Sequence, residues 1–545
     1  MAETDATEHS LIGLPAELLL HILAGLEPLD LANTAQTCRT LHAHSYDDQI
    51  WQPLVSRNLP EPITEPTPLK SFRDLYVAHQ PHWFLPRHRI WFSDSEPSGK
   101  LLVARYDPRR GCIEAYAVVA QRGLPTLQFW EKDREVIIHS FNPRISLALD
   151  QPVLKLDVDS PRTNDARNNH PSDRGYAPPS HYSKEILMET FAEAGLYSSF
   201  MLCRSLPAAA QTEQTSLWPP FRVPAVSRVR NESGDGFSSS GHRPTRLEEV
   251  SQHNFRLRKW VEYSGRRSSP RIMSFTSPNG IAAALGMNGP YFAAGLASSE
   301  RGGMSIRMPE DITTYATLPQ SALTPTAEKP WQGIWCGDYS GHGCEFLIML
   351  QPDRQDERPW PGGMDWLRQW FRGGRRGSSS SADSYASAQE DINFPDAAET
   401  AGEATAPQLF PSDVLNGFIE APFGQMETAA HESTDYKDVP SGRLEAIKLT
   451  GDPNVPRGEY TFIAPDIGHA GFMRVADEEI FKGARVVKSA GHIAGRGFQE
   501  NQYTPSQLIM ISHDRLAQFW EGFGHISYYQ RVDLDALMKS GLPLR

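Results

Sequence analysis

The stretch LIGLPAELLLHILAGLEPLDLANTAQTCRTLHAH, residues 11–44, decides how the N-terminal part folds. Leu14, Leu18, Ile22 and Leu26 recur at helical spacing on one stripe, with Leu19 and Leu23 beside it. Pro15 suits a first helical turn, where its missing N–H is no loss. Glu27-Pro28 breaks this helix, and Asp30 is expected to cap a second one carrying Leu31, Ala35 and Cys38. Asp47 is expected to cap a third, with Ile50, Trp51, Leu54 and Val55. Residues 11–58 therefore read as a bundle of three short helices, too small to bury all of its own apolar surface.

Outward from this bundle, residues 59–82 form a linker: Leu59 to Thr67 is rich in Pro and Glu, and Phe72, Leu75 and Tyr76 mark one further short helix. From Trp83 the texture changes to short β-prone runs, such as Leu101 to Tyr106 and Val136-Ile137-Ile138, separated by Gly, Pro, Asp and Asn. Strand texture returns at Gly333 to Leu350 and from Arg443 onward. Polar, low-complexity stretches at 159–180, 231–245 and 352–440 are expected to be disordered insertions. Between the first two, Ile186, Leu187, Phe191 and Ala194 have the spacing of an amphipathic helix. The expected class is α+β: a small helical unit, then one antiparallel β-barrel-like domain over 83–538 broken by insertions.

The formal charge of −13 argues against a sequence-independent hold on nucleic acid, which needs clustered Lys and Arg. Five scattered cysteines with no CxxC argue against a disulfide framework and for a reducing compartment. The opening MAETDATEHS is acidic rather than basic then apolar, and no apolar run approaches the ~20 residues of a spanning helix. A location in cytoplasm or nucleus, away from membranes, is expected.

The order Leu14-Pro15, Glu17, Ile22-Leu23, Pro28-Leu29-Asp30-Leu31, Ala35, Cys38-Arg39 and Trp51 resembles the F-box. That resemblance implies docking to a Skp-type adaptor of a cullin-RING ubiquitin ligase, through apolar surface around Leu14, Pro15, Ile22, Leu23 and Leu29.

Three later blocks are KPWQGIWCGDYSGHGCEFLIML (329–350), LEAIKLTGDPNVPRGEYTF (444–462) and GHIAGRGFQENQYTPSQLIMISHDRLAQFWEGFGHISYYQRV (491–532). Together with 83–158 they resemble the cyclin-D-binding-type substrate domain of the family of F-box-only protein thirty-one and its fungal relatives. The resemblance implies a β-barrel-like domain whose pocket receives the C-terminal end of a substrate, including chains that end in a carboxamide. On the motif KLTGD, Lys448 and Asp452 would be pocket residues, with Arg496 of GHIAGRG beside them. An Asp carboxylate can accept from the terminal N–H₂ while a Lys ammonium donates to the terminal C=O. A terminal carboxylate offers no N–H and meets like charge.

Asp338, His342 and Glu345 in GDYSGHGCEF give a rival reading, a barrel enzyme or small-ligand binder, because Asp, His and Glu at short spacing can hold a metal or assist a nucleophile. No HExxH supports it, and three glycines there favour a tight hairpin. The expected protein is thus a substrate receptor that does no bond chemistry itself, needs no cofactor, and raises the effective concentration of substrate near a ubiquitin-charged enzyme.

Overall fold

In the computed structural model, residues 11–56 form a 3-10 turn, Leu11–Gly13, and four helices: α1 (Ala16–Leu23), α2 (Pro28–Thr34), α3 (Arg39–Ser45) and α4 (Asp48–Ser56). The residues described are 11–123, 127–139, 141–158, 181–188, 196–212, 216–231, 237, 239–263, 306–307, 311–339, 343–353, 361 and 440–539. One helix more is present than the periodicity predicts. Cys38, expected inside the second helix, instead caps α3, its sulfur accepting from the Leu41 N–H at 3.5 Å. Asp30 lies within α2 rather than capping it, because Pro28 occupies the first turn and Glu27 stands at the cap. Asp47 does cap α4, accepting from the Gln49 N–H at 2.9 Å.

Two further helices, α5 (Phe72–His79) and α6 (Phe84–His88), join this unit to the first sheet. Leu23, Leu31, Trp51, Leu54 and Val55 share one core with Phe72, Leu75 and Trp83 and with Trp91, Leu102 and Ala104 of that sheet. The helical unit is therefore packed onto the β part by continuous apolar burial rather than hung on a tether.

The first sheet is open and antiparallel. Its strands run, in spatial order, Arg144–Leu147, Cys112–Gln121, Leu101–Asp107, Ile90–Ser93, Asp311–Ala316, Val250–Tyr263, Leu196–Arg204 and Ile186–Met188. Ile186 and Leu187 are thus strand, not helix: pairing with Leu196–Arg204 overrides a helical spacing only two turns long. Phe191 and Ala194 lie outside the described residues.

The second sheet closes on itself. Strands β1 (Gly333–Asp338), β2 (Cys344–Leu350), β3 (Leu444–Lys448), β4 (Tyr460–Ala464), β5 (Arg485–Gly495), β6 (Gln499–Met510), β7 (Arg515–Trp520) and β8 (His525–Arg531) are neighbours in that order. β1 pairs back to β8, Trp335 opposite Arg531 and Gly337 opposite Tyr529, which makes an eight-stranded barrel. The barrel occupies 333–531, and the strands between 90 and 316 belong mainly to the open sheet. The span 83–538 is accordingly two sheets with a shared core. Ile90, Phe92, Val103 and Tyr116 of the open sheet pack against Cys336, Phe346, Ile348 and Ile463 on the barrel's outer face.

The stretch 159–180 and nearly all of 352–440 lie outside the described residues. Part of 231–245 does not match the expectation of disorder. Ser239–His242 is a helical turn, and Arg243 forms an ion pair with Glu185, so tertiary partners order a stretch whose own composition cannot. Among the described residues no helix is long and apolar enough to cross a membrane.

Candidate functional site

Side chains alternate across a strand. Trp335, Leu347, Met349, Leu444, Ala446, Phe462, Val487, Leu508, Leu516 and Tyr529 form one apolar cluster that fills the barrel interior. On the same inward faces, toward the other end of the lumen, the residues become polar. Tyr529 donates to Gln518 Oε1 at 2.7 Å, Gln518 Nε2 donates to Ser506 Oγ at 2.9 Å, and Ser506 and Ser489 hydroxyls lie 2.8 Å apart.

Lys448 ends β3 at this polar end and is buried. Its Nζ lies 2.5 Å from Asp452 Oδ2 and 2.8 Å from Glu345 Oε2, and 4.4 Å from the centre of the Tyr339 ring. The turn after β3 places Asp452. The other oxygen, Oδ1, accepts from the N–H groups of Asn454 at 2.6 Å and Val455 at 2.7 Å, an Asx turn that Pro453 stiffens. The Gly458 N–H bonds back to the Lys448 carbonyl at 2.7 Å and closes the loop.

Gly451 is required there for space. A Cβ on it would lie 2.3 Å from the Arg457 backbone nitrogen. Gly451→Ala is expected to destabilise the protein by about 1–3 kcal/mol, the usual cost of overpacking. Thermal unfolding checks this, and a wild-type melting profile would show that the loop simply shifts.

The three charges do not behave alike. Burial raises the Glu345 carboxyl to about 8, with Lys448 opposing and Asp452 adding to the rise. Burial also acts upward on Asp452, but Lys448, the Glu345 and Lys448 hydrogen bonds and the Val455 N–H outweigh it and hold it at about 2. Burial acts downward on Lys448, yet its partners Glu345 and Asp452 leave it raised. Burial thus favours the protonated form of Glu345, while the surroundings favour the ionised forms of Asp452 and Lys448.

Glu345 binds its proton more tightly folded than unfolded, so its contribution to stability is full below about 4.5 and is lost as pH rises towards about 8. Relative to wild type, Glu345→Gln should flatten the pH dependence of unfolding over that window, by up to about 1.4 kcal/mol per pH unit. Parallel denaturant titrations check it; identical slopes in the two proteins would mean that Glu345 titrates normally.

On the helical unit, α1 separates into two stripes. Leu19 and Leu23 are buried, whereas Leu14 before it and Leu18 and Ile22 within it are exposed, as are Leu11 and Ile12. Leu29 at the start of α2 is 66 % exposed. Apolar side chains at i, i+4 and i+8 left open beside a second exposed leucine form a patch suited to a partner's helices.

Residues 11–57 match the F-box-like family model, and residues 315–536 match the Cyclin D1 binding domain. The chain is an F-box protein with a cyclin-D-binding-type domain. No curated protein matches it. The F-box implies the role of an SCF-type substrate receptor, joined to a cullin-RING ligase through a Skp-type adaptor, and the second domain implies that of binding substrate. The second match contains the whole barrel and leaves 83–158 outside it.

Among the residues proposed for the adaptor, Leu14, Pro15, Ile22 and Leu29 are exposed, but Leu23 is 3 % exposed and belongs to the internal core. It stands four residues from Leu19, on the inward stripe. Lys448 and Asp452 are brought together. Arg496 is exposed at the tip between β5 and β6, and that tip is tied to the Asp452 turn by the Gly497 N–H donating to the Pro453 carbonyl at 2.8 Å.

The rival grouping of Asp338, His342 and Glu345 does not assemble. Asp338 follows Cys336 on the outer face of β1 and pairs with Arg122 of the open sheet, while Glu345 faces the lumen and pairs with Lys448. Two carboxylates on opposite faces of a sheet cannot share a ligand. His342 lies outside the described residues, among which no group of three His, Cys, Asp or Glu could hold a metal. Sequence reasoning missed that Tyr339 and Glu345 lie against Lys448; strand parity from Leu347 and Met349 was the available signal for Glu345.

A cavity of about 640 Å³ lies at the barrel's other end, lined by Arg89, Gly333, Arg515, Arg531, Leu534 and Met538 among others. Its main cation is already engaged: Arg531 donates to Asp514 at 2.7 Å and to the Gln332 and His513 carbonyls, and stacks over Trp335.

Proposed function

We propose that this receptor takes the C-terminal end of a substrate chain into the polar end of its barrel, and that it favours a terminal carboxamide over a terminal carboxylate. The observation that carries this reading is a buried ammonium, Lys448, held between two carboxyl groups inside the barrel. A carboxamide brings no charge: its C=O accepts from Lys448 and its N–H₂ finds a carboxyl oxygen. A carboxylate would bring a further negative charge against the buried Asp452 and Glu345 carboxyl groups, and a buried unpaired charge is costly. Lys448 is the donor in this reading, Asp452 holds it in place, and Arg496 meets the peptide at the rim. The adaptor docks on the exposed apolar surface of the helical unit, through Leu14, Pro15, Ile22 and Leu29.

The test is a titration of the full chain with two peptides identical but for the terminal group. The description of the matched family makes the C-terminal tail of a D-type cyclin a sensible peptide sequence to use. Tighter binding of the carboxamide form is expected. Equal binding of both forms would discard the specificity, and binding of neither would discard the site.

A further inference from the structure

Two of the five cysteines, Cys336 on β1 and Cys344 on β2, stand together on the outward face of the barrel, within one apolar cluster. Cys336 lies opposite Phe346 and Cys344 opposite Asp338, so the two are diagonal neighbours across one antiparallel pair. Both are free thiols, and the Cys336 S–H donates a hydrogen bond to the Cys344 sulfur. Their access to solvent differs. Cys336 is fully buried, whereas Cys344 is half-buried at the first position of β2, directly after Gly343 with its φ of 89°.

The remaining cysteines offer no such pairing of access and activation. Cys112 and Cys203 are buried, and burial pushes their thiols up to about 12 and about 11, which leaves little reactive thiolate. Cys38 is half-buried at the cap of α3, where its sulfur accepts from the Leu41 N–H. At Cys344 the hydrogen bond from Cys336 and the positive charge of Arg122 outweigh burial and lower the thiol to about 7. Arg122 is held there by its ion pair with Asp338, the residue facing Cys344 across the strands. The Cys336 thiol is raised, because it donates to Cys344 and because it is buried. An accessible thiolate with a protonated thiol against it is the arrangement of an attacking and a resolving cysteine.

We propose that Cys344 is an oxidation site for hydroperoxides, with Cys336 as its resolving partner, and that the two close into a reversible disulfide across the β1–β2 hairpin. In the first step the Cys344 thiolate attacks the terminal oxygen of the hydroperoxide. An S–O bond forms, the O–O bond breaks, and the oxygen anion that leaves takes a proton from solvent as an alcohol, or as water. The Cys336 sulfur then attacks the Cys344 sulfur. An S–S bond forms, the S–O bond breaks, and the departing hydroxide takes the Cys336 proton as water. Two electrons pass from the two thiols to one hydroperoxide. Diagonal neighbours lie at the limit of disulfide reach, so closure draws the start of β2 toward β1, and Gly343 is the residue that absorbs the shift. A bond formed under that constraint is readily reduced again. The assignment is independent of the C-terminal reading above.

The experiment treats the reduced full chain with limiting hydrogen peroxide, blocks the remaining thiols with an alkylating reagent, and maps the peptides without reduction. The expected product is a cross-linked peptide joining Cys336 to Cys344. It should form before Cys38, Cys112 or Cys203 loses its thiol, and it should disappear on treatment with a monothiol such as glutathione. Cys336→Ala should halt the reaction at a Cys344 sulfenic acid that a cyclic diketone traps. Cys344→Ser should abolish the loss of the Cys336 thiol to peroxide. Oxidation of Cys38 ahead of Cys344 overturns the choice of reactive thiol. A Cys344 sulfenic or sulfinic acid that accumulates in the wild type without the cross-link overturns the resolving role of Cys336. Both of these outcomes are read on the wild-type chain, so they decide the matter whether or not a variant at the buried Cys336 folds.

Discussion

Replacing Lys448 by methionine is expected to destabilise the protein by about 3–5 kcal/mol, the cost of removing one partner from a buried ion pair. Methionine matches the length of the lysine stem, so packing in the lumen is little changed and the loss is electrostatic. Asp452 would keep its two backbone donors but lose the 2.5 Å contact that chiefly offsets its burial. The double variant Lys448→Met with Asp452→Asn removes both charges, and asparagine can still accept from the Asn454 and Val455 N–H groups. The double variant should therefore be more stable than Lys448→Met alone. Denaturant unfolding of the three proteins checks both statements. A loss below about 1 kcal/mol for Lys448→Met would mean that the pair is solvated, as surface pairs are. The same substitution should abolish binding of carboxamide and carboxylate peptides alike.

This result depends on a feature that the sequence does not display. In LEAIKLTGD, Lys448 alternates with Ala446 and Leu444 on one face, which reads equally well as the polar end of a half-exposed strand. Only closure of β1 onto β8, a contact between residues far apart in the chain, turns that face into a lumen. The turn was easier to see: Gly451-Asp452-Pro453-Asn454 carries its own backbone chemistry, and the structure uses it as an Asx turn. Glu345 was visible as a residue but not in its direction. Which way it faces depends on the register of the β1–β2 pair, and a one-residue slip would have put it beside Asp338 on the outer face.

Sheet membership was equally hidden. The β-prone runs after Trp83 and those after Gly333 look alike, yet the first build an open sheet and the second a barrel, because pairing partners are set by tertiary contacts rather than by strand propensity. Cys38 was misplaced for a local reason: a thiol is an uncommon helix cap, so nothing in the residue type announces the start of α3. The helical stripes were legible almost completely. Leu23, named for the adaptor surface on the family resemblance, stands on the inward stripe with Leu19.

Separating those stripes gives the second large effect. Ile22→Asp combined with Leu29→Asp is expected to abolish association with a Skp-type adaptor, while leaving the fold intact. Ile22 is 45 % and Leu29 66 % exposed, so placing a carboxylate at either position in the free protein should change stability by no more than about 0.5 kcal/mol. In a complex both positions would be covered by apolar side chains, where truncating a central residue commonly costs about 2 kcal/mol or more and a buried unpaired charge costs further. Two such losses weaken binding by about a thousandfold or more. Leu23→Asp is the counterpart: on the inward stripe with Leu31 and Trp51, it should lower the unfolding midpoint markedly by forcing a charge into the helical core. Co-elution with the adaptor, measured beside thermal unfolding, distinguishes the two cases. If the double variant still co-elutes at unchanged affinity, the exposed stripe is not the adaptor surface. If Leu23→Asp melts like wild type, the division of α1 into an inner and an outer stripe is wrong, and with it the reason for choosing Ile22 and Leu29.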